Sequence, residues 1–113
     1  MTTPTRGEVW LIDFDPTKGR EQAGKRPGLV VSTNGFNKSP AGLVVVLPIT
    51  SKFKGIPWHV EASPPDGGLK MTSFIMCEAV RSVSVERFVS RLGSIRKATQ
   101  DEVDDRLRIL FDL

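Results

Sequence analysis

The sequence is poor in the side chains that build metal centres and nucleophilic triads, since its 113 residues include one histidine, one cysteine and no tyrosine. A single histidine and a single cysteine cannot supply a dedicated zinc site, and no close acidic cluster predicts a cage for a hard metal. Neither a Walker motif nor a dinucleotide glycine fingerprint is present. We therefore expect no metal and no cofactor.

Long apolar segments are also missing. No run approaches the roughly 18 apolar residues of a membrane span, and residues 1–7 contain no apolar signal core. Cys77 has no second cysteine to pair with and lies in the apolar run 74–77, which predicts a buried thiol. These features predict a cytoplasmic protein that does not enter a membrane.

The length predicts a single domain, residues 1–113. Charge is unevenly distributed along it. Residues 1–60 hold eight Lys and Arg against four Asp and Glu, whereas residues 61–113 hold eight against nine. A basic N-terminal half suits a phosphate-bearing partner. A solvated face that keeps the protein soluble explains the same charges equally well.

Short β-strands dominate the pattern. Residues 8–14 and 27–32 are rich in β-formers, with Pro27 placed at the start of the second strand. Residues 43–47 predict a central strand closed by Pro48, because proline cannot continue a ladder in mid-sheet. Further short strands are predicted at 58–61, 73–77, 80–83 and 88–95. This pattern favours a small, strongly bent sheet closing toward a barrel.

Only the C-terminus predicts a helix. Thr99 and Glu102 have the spacing of a capping box with Thr99 as the N-cap, and an apolar stripe follows at Val103, Leu107 and Leu110. Ile109 and Phe111 add more apolar surface than a short helix lying on a barrel needs.

The residues best suited to chemistry are cations and hydroxyls near two strand ends. Arg26 can present a planar fork to a phosphate, and Thr50 can offer it a hydroxyl. Further hydrogen-bond donors nearby in sequence are Lys18, Arg20, Lys25, Ser51, Lys52 and Lys54. Trp58 provides an aromatic ring on which a base could stack. Sequence spacing does not show that these residues meet, and they serve equally as solubilising loop residues. His59, which could pair with Ser51 or Cys77, is more often structural than catalytic in such a strand.

The order of these residues resembles the MazF/PemK family of toxins. The string that carries the resemblance reads Gly19-Arg20-Glu21-Gln22-Ala23-Gly24-Lys25-Arg26-Pro27, preceded by Arg6-Gly7-Glu8-Val9-Trp10 and followed by Leu29-Val30-Val31-Ser32 and Pro48-Ile49-Thr50-Ser51. The resemblance implies an SH3-like small β-barrel (PemK/CcdB-like) with a C-terminal α-helix. It also implies a homodimer, and a cognate antitoxin (MazE/PemI-like) that covers the RNA groove.

The activity that the resemblance implies is metal-independent, sequence-selective cleavage of single-stranded RNA, leaving a 2′,3′-cyclic phosphate and a 5′-hydroxyl, which inhibits translation and growth. The family's catalytic residues fall on Arg26 and Thr50, while Glu21, Gln22 and, more weakly, Glu78 fall on positions near the RNA. Because an arginine is almost never neutral, we expect Arg26 to stabilise charge and Glu21 or water to act as the base.

Two other functions remain open at this stage. A CcdB-like poison of DNA gyrase shares the barrel, but it uses a Trp-Gly-Ile-type C-terminus that the ending Leu110-Phe111-Asp112-Leu113 lacks. A barrel that binds RNA without cleaving it is the second alternative, and the presence of Arg26 and Thr50 argues against it.

Overall fold

The computed structural model describes residues 2–14 and 24–113. Seven strands and two helices follow one another within these ranges. They are β1 (Glu8–Asp13), β2 (Lys25–Val30), α1 (Asn34–Asn37), β3 (Leu43–Thr50), β4 (His59–Ala62), β5 (Ser73–Met76), β6 (Arg81–Ser84), β7 (Phe88–Ser94) and α2 (Lys97–Phe111). Short 3-10 turns span Asp66–Gly68, Cys77–Ala79 and Val85–Arg87.

The strands form one antiparallel sheet in the order β4-β5-β3-β2-β1-β7, with β6 also paired to β3. β3 organises it, because β2 lies along one edge while β6 and then β5 share the other edge. Within the described ranges the end strands β4 and β7 do not pair, so the sheet bends without closing. The prediction of a mainly β, barrel-like fold with a C-terminal helix is confirmed.

Both faces of the central strands are buried. Side chains alternate between faces along a strand, so Val9, Leu29 and Leu47 pack in one apolar cluster, which α2 covers with Val103. Trp10 and Val46 belong to a second cluster on the other face. This two-sided burial explains why residues 43–47 have an unbroken apolar run. No helix of the described residues is both long and apolar enough to cross a membrane.

Two predicted strand limits at prolines are wrong. β3 does not end before Pro48 but continues through it to Thr50. On the edge that β6 and β5 share, paired residues stop at Val46 and resume at Ile49, so Pro48 lies where its missing N–H has no partner to bond. β2 begins at Lys25, two residues before Pro27.

The predicted helix start is also wrong. α2 begins at Lys97 with Arg96 as the N-cap, and Thr99 lies inside the first turn with only 3% of its surface exposed. The buried carboxylate of Asp66 takes the capping role instead. It accepts the backbone N–H of Arg96 at 2.8 Å and the hydroxyl of Thr99. A turn 30 residues upstream therefore fixes where the helix begins.

A close backbone approach joins that same turn to β7. Gly68 has a φ of +70°, and a Cβ placed on it would lie 2.0 Å from the carbonyl oxygen of Leu92. Only glycine satisfies both conditions, because L-residues avoid this φ and no side chain fits in this space. The turn can therefore sit directly against the sheet.

Candidate functional site

Arg26 and Thr50 come from neighbouring strands and share one face of the sheet. The β2–β3 register pairs Val30 with Val46 and Gly28 with Pro48. Carried two residues further, the same register sets Arg26 across from Thr50, and facing residues of antiparallel strands have Cβ atoms about 5 Å apart. The two residues predicted to act together therefore belong to the same cross-strand row.

The hydroxyl of Thr50 is held in a defined environment. Only 7% of the residue's surface is exposed, and its Oγ1 accepts the backbone N–H of Lys52 at 3.2 Å. Because Oγ1 already accepts one hydrogen bond, its own proton remains available for donation to an incoming oxygen. Arg26, in contrast, is exposed to solvent. The nearly buried hydroxyl of Thr50 and the exposed guanidinium of Arg26 thus come from adjacent strands.

The row continues on the other side of Thr50. Phe74 on β5 lies directly opposite Thr50, and Glu61 on β4 lies directly opposite Phe74. A small cavity of about 120 Å³ opens along this part of the row, and we call it the β4 pocket. Its walls include Phe53, Lys54, His59, Glu61 and Phe74.

A larger cavity of about 360 Å³ lies at the other rim of β2 and β3. It brings Lys25, Arg26 and Ser51 together with Lys70 and the exposed thioether of Met71. Ser51, the first residue after β3, lines this second cavity together with Arg26. Cations are therefore present on both sides of the strand end that carries Thr50.

The remaining predicted contacts divide into four groups. Lys52 and Lys54 are exposed just beyond β3. Trp58 is half-buried before β4 and lines neither cavity. Glu78 lies in the turn after β5, where its Oε2 is 2.9 Å from Nε2 of His59. Lys18, Arg20, Glu21 and Gln22 lie outside the described residues.

The nucleophile pairs considered for His59 do not form, because its described hydrogen bond goes to Glu78 and not to Ser51 or Cys77. Burial, reinforced by the nearby carboxylate of Glu78, raises the pKa of the Cys77 thiol to about 11. A thiol with that pKa is protonated and inert near neutrality. Within residues 2–14 and 24–113, no three His, Cys, Asp or Glu side chains group closely enough to hold a metal ion.

Sequence reasoning missed Phe53, Glu61 and Phe74 as neighbours of Thr50. Each looks ordinary in sequence, as part of a basic loop or of a short strand. Only the pairing of β3 with β5, and of β5 with β4, places Phe74 and Glu61 in one row with Thr50. The alternation in residues 58–61 was the available signal, because it puts His59 and Glu61 on the same face.

Comparison with known proteins identifies the family of this chain. Residues 5–111 match the model of the PemK-like, MazF-like toxin of type II toxin–antitoxin systems. The chain is 33% identical over 113 residues to the endoribonuclease MazF9 of Mycobacterium tuberculosis, covering 96% of each chain.

Two solved structures from Deinococcus radiodurans share the fold. MazF superposes with a TM-score of 0.88 at 28% identity, with both chains fully covered. A MazE–MazF structure gives a TM-score of 0.81 at 29% identity, covering 100% of this chain and 99% of the other. The family match spans nearly the whole chain and includes the row built on Arg26 and Thr50. The chain is a member of the PemK/MazF toxin family.

Proposed function

We propose that the chain is the toxin of a toxin–antitoxin pair, a cytoplasmic endoribonuclease that cleaves single-stranded RNA between the β2 and β3 strand ends. The observation that supports this proposal is the β2–β3 register, which, extended two residues beyond Gly28 and Pro48, sets Arg26 across from Thr50. The Thr50 hydroxyl already accepts one hydrogen bond. The match to named endoribonucleases over most of the chain supports the same reaction.

The chemistry requires no nucleophile from the protein. The ribose 2′-oxygen forms a bond to phosphorus while the bond from phosphorus to the 5′-oxygen breaks, leaving a 2′,3′-cyclic phosphate and a 5′-hydroxyl. One proton leaves the 2′-oxygen and one reaches the departing 5′-oxygen. Arg26 stabilises the extra negative charge that develops on the phosphoryl oxygens, and Thr50 donates a hydrogen bond to one of them. Holding the phosphate between them also fixes the in-line geometry.

Additional cations around the strand ends provide affinity for RNA. Lys25 and Lys70 lie in the cavity on one side of Thr50, and Lys54 lies in the pocket on the other side. Contacts of this kind to phosphates weaken with salt, because binding releases counterions from the nucleic acid. The family resemblance adds Glu21, Gln22 and Glu78 as proposed RNA-contacting residues. Their residue types add the donors Lys18, Arg20, Ser51 and Lys52 and the stacking ring of Trp58.

The decisive experiment maps the RNA ends produced by the wild type, Arg26→Ala and Thr50→Val. We expect 5′-hydroxyl ends from the wild type, the same ends in the presence of EDTA, and a loss of cleavage of roughly 100-fold or more in each variant. Circular dichroism and thermal melting verify that the variants are folded. Full activity in both variants, or turnover that requires a metal, would overturn the proposal.

A homodimer is part of the same proposal. The end of α2 exposes a run of apolar side chains, with Ile109 60%, Phe111 52% and Leu113 88% exposed. Burying them against a second copy removes this apolar surface from water. Light scattering should give twice the chain mass at micromolar concentration. The double variant Ile109→Ser, Phe111→Ser should have a lower mass because the dimer is weakened. A monomeric mass for the wild type would contradict the dimer.

The proposed protein partner is a small antitoxin that occupies the RNA groove. The Deinococcus MazE–MazF structure supports it as a relative that forms such a complex. Carboxylates of the antitoxin would replace RNA phosphates at Arg26 and the neighbouring lysines. Co-purification with the product of the adjacent gene, and loss of RNA cleavage in that complex, would test it.

A further inference from the structure

The β4 pocket is close enough to Thr50 to hold the base next to the reacting phosphate. Phe74 is one strand away from Thr50 and Glu61 is two strands away. Neighbouring strands lie about 4.8 Å apart, so the row places Glu61 roughly 10 Å from Thr50. A nucleotide whose phosphate lies at Thr50 can therefore extend its base toward the pocket.

One wall of this pocket is an aromatic pair. Phe53 packs edge to face on Phe74, with ring centroids 5.6 Å apart and an angle of 63° between the planes. Phe53 nevertheless remains 76% exposed. A phenyl ring that is held from one side and open on the other is a stacking surface for a flat ligand.

The polar edge of the pocket carries one exposed carboxylate, that of Glu61. The Glu61 side chain makes no hydrogen bond or ion pair with the described residues. His59, whose side chain is only 4% exposed, directs Nε2 at the carboxylate of Glu78. A carboxylate accepts, so Nε2 donates this bond, and Glu78 holds the ring where it lines the pocket. Nδ1 is buried and has no partner among the described residues.

We propose that the β4 pocket binds one unpaired nucleobase bearing an exocyclic amine, beside the phosphate cleaved at Arg26 and Thr50, and rejects uracil. Cytosine, adenine and guanine each bring an NH₂ group to the carboxylate of Glu61, and Lys54 can donate to a ring nitrogen or carbonyl. Uracil has no exocyclic amine, and its single ring N–H is flanked by two carbonyl oxygens, which the carboxylate of Glu61 repels. This inference rests on the proposed function and adds the residue that selects the base.

The test uses a pool of short RNAs with random bases on both sides of the cleavage point, sequenced after limited digestion. The wild type should disfavour uracil at one flanking position by roughly tenfold, the discrimination expected of one good hydrogen-bonded edge. Glu61→Gln should remove most of this discrimination, because the amide both donates and accepts. Phe53→Ala should lower kcat/KM about tenfold through lost stacking.

Glu86→Gln is the matched control. Glu86 is exposed in the turn after β6, beside the Leu43 end of β3, and the eight residues of that strand separate it from Thr50 by about 20 Å. The Glu86→Gln variant should cleave RNA at the wild-type rate and with the wild-type base preference. Equal use of all four bases at every flanking position by the wild type would overturn the inference, as would a preference that Glu61→Gln leaves unchanged.

A binding measurement separates this inference from the proposed function. Fluorescent 2′-O-methyl RNAs lack the nucleophile and cannot be cleaved by the proposed reaction, so base preference is read from affinity alone. An absence of cleavage of natural RNA would defeat the proposed function. Tighter binding of the amine-bearing oligomers than of their uracil counterparts, lost in Glu61→Gln, would still support the pocket, and equal binding would reject it.

Discussion

The side-chain oxygen of Thr50 accepts the backbone N–H of Lys52, two residues further along the chain, at 3.2 Å. This bond fixes Oγ1 at the strand end and leaves the hydroxyl proton as its only donor. The position of the donor oxygen is therefore set before any substrate arrives.

We expect Thr50→Ser to retain much more RNA cleavage than Thr50→Val. Serine keeps the hydroxyl and its bond to Lys52, whereas valine fills nearly the same buried volume without a polar atom. Single-turnover rates should fall roughly 100-fold or more for valine and much less for serine. Equal rates for the two variants would show that the hydroxyl has no part in the reaction.

Asp66 should be a large contributor to stability although it has no part in the proposed reaction. Its carboxylate is 1% exposed and accepts hydrogen bonds from Arg96 and Thr99, so the amide of Asp66→Asn replaces charge-assisted bonds with weaker ones. We expect the free energy of unfolding to fall by about 2 kcal/mol in urea titrations.

Asp101→Asn is the comparison for this prediction. Asp101 pairs with Lys97 on the same helix at 3.0 Å, but both side chains are exposed. Such a pair contributes about 0.5 kcal/mol or less. Equal effects of the two substitutions would mean that Asp66 does not anchor the start of α2.

Gly68→Ala should destabilise the fold more than an ordinary exposed substitution. The new Cβ would lie 2.0 Å from the carbonyl oxygen of Leu92 at a φ that disfavours alanine, so the turn must move away from β7. We expect a loss of about 2 kcal/mol or more in thermal or urea unfolding. Gly35→Ala, where no atom lies within 4 Å of the added carbon, should be close to neutral. A neutral Gly68→Ala would contradict the close approach.

Glu8 should make stability depend on acid pH. Burial raises the pKa of its carboxyl, but hydrogen bonds from Trp10, the Thr5 backbone and Arg91 together hold the pKa below its ordinary value of 4.5. A depressed pKa stabilises the folded state above pH 4.5, and this contribution disappears as the pH falls through the folded-state pKa.

Glu8→Gln should therefore lower the free energy of unfolding by about 1 kcal/mol at pH 7. The difference from wild type should shrink as the pH drops below 4.5, since the protonated glutamic acid resembles glutamine. Urea titrations from pH 3 to 7, with Glu86→Gln as the exposed control, measure it. A difference that stays constant with pH would contradict the assignment.

The strands could be predicted well because their burial is reflected directly in the pattern of apolar residues. Residues 43–47 are apolar throughout since β3 is covered on both faces, and α2 shows its stripe because one side packs on the sheet. The errors at Pro48 and Thr99 share a cause. Each depends on a partner distant in sequence, the change from β6 to β5 in one case and Asp66 in the other.

The candidate site was predictable only in part for the same reason. Arg26 and Thr50 were identified through the order of residues around them, and the β2–β3 register, extended by two residues, sets them in one row. Phe74 and Glu61 could be assigned to the candidate site only once the strand pairing was known, because no local sequence pattern links them to Thr50.

The cross-strand row has a consequence for how such a protein diversifies. Arg26 and Thr50 lie on β2 and β3, whereas Glu61 lies on β4 at the edge of the sheet and Phe74 lies on its neighbour β5. An edge strand tolerates exchange more readily than a central one, because it has a neighbour on one side only. Descendants of one ancestor can therefore acquire different target sequences by altering β4 while inheriting the reaction unchanged.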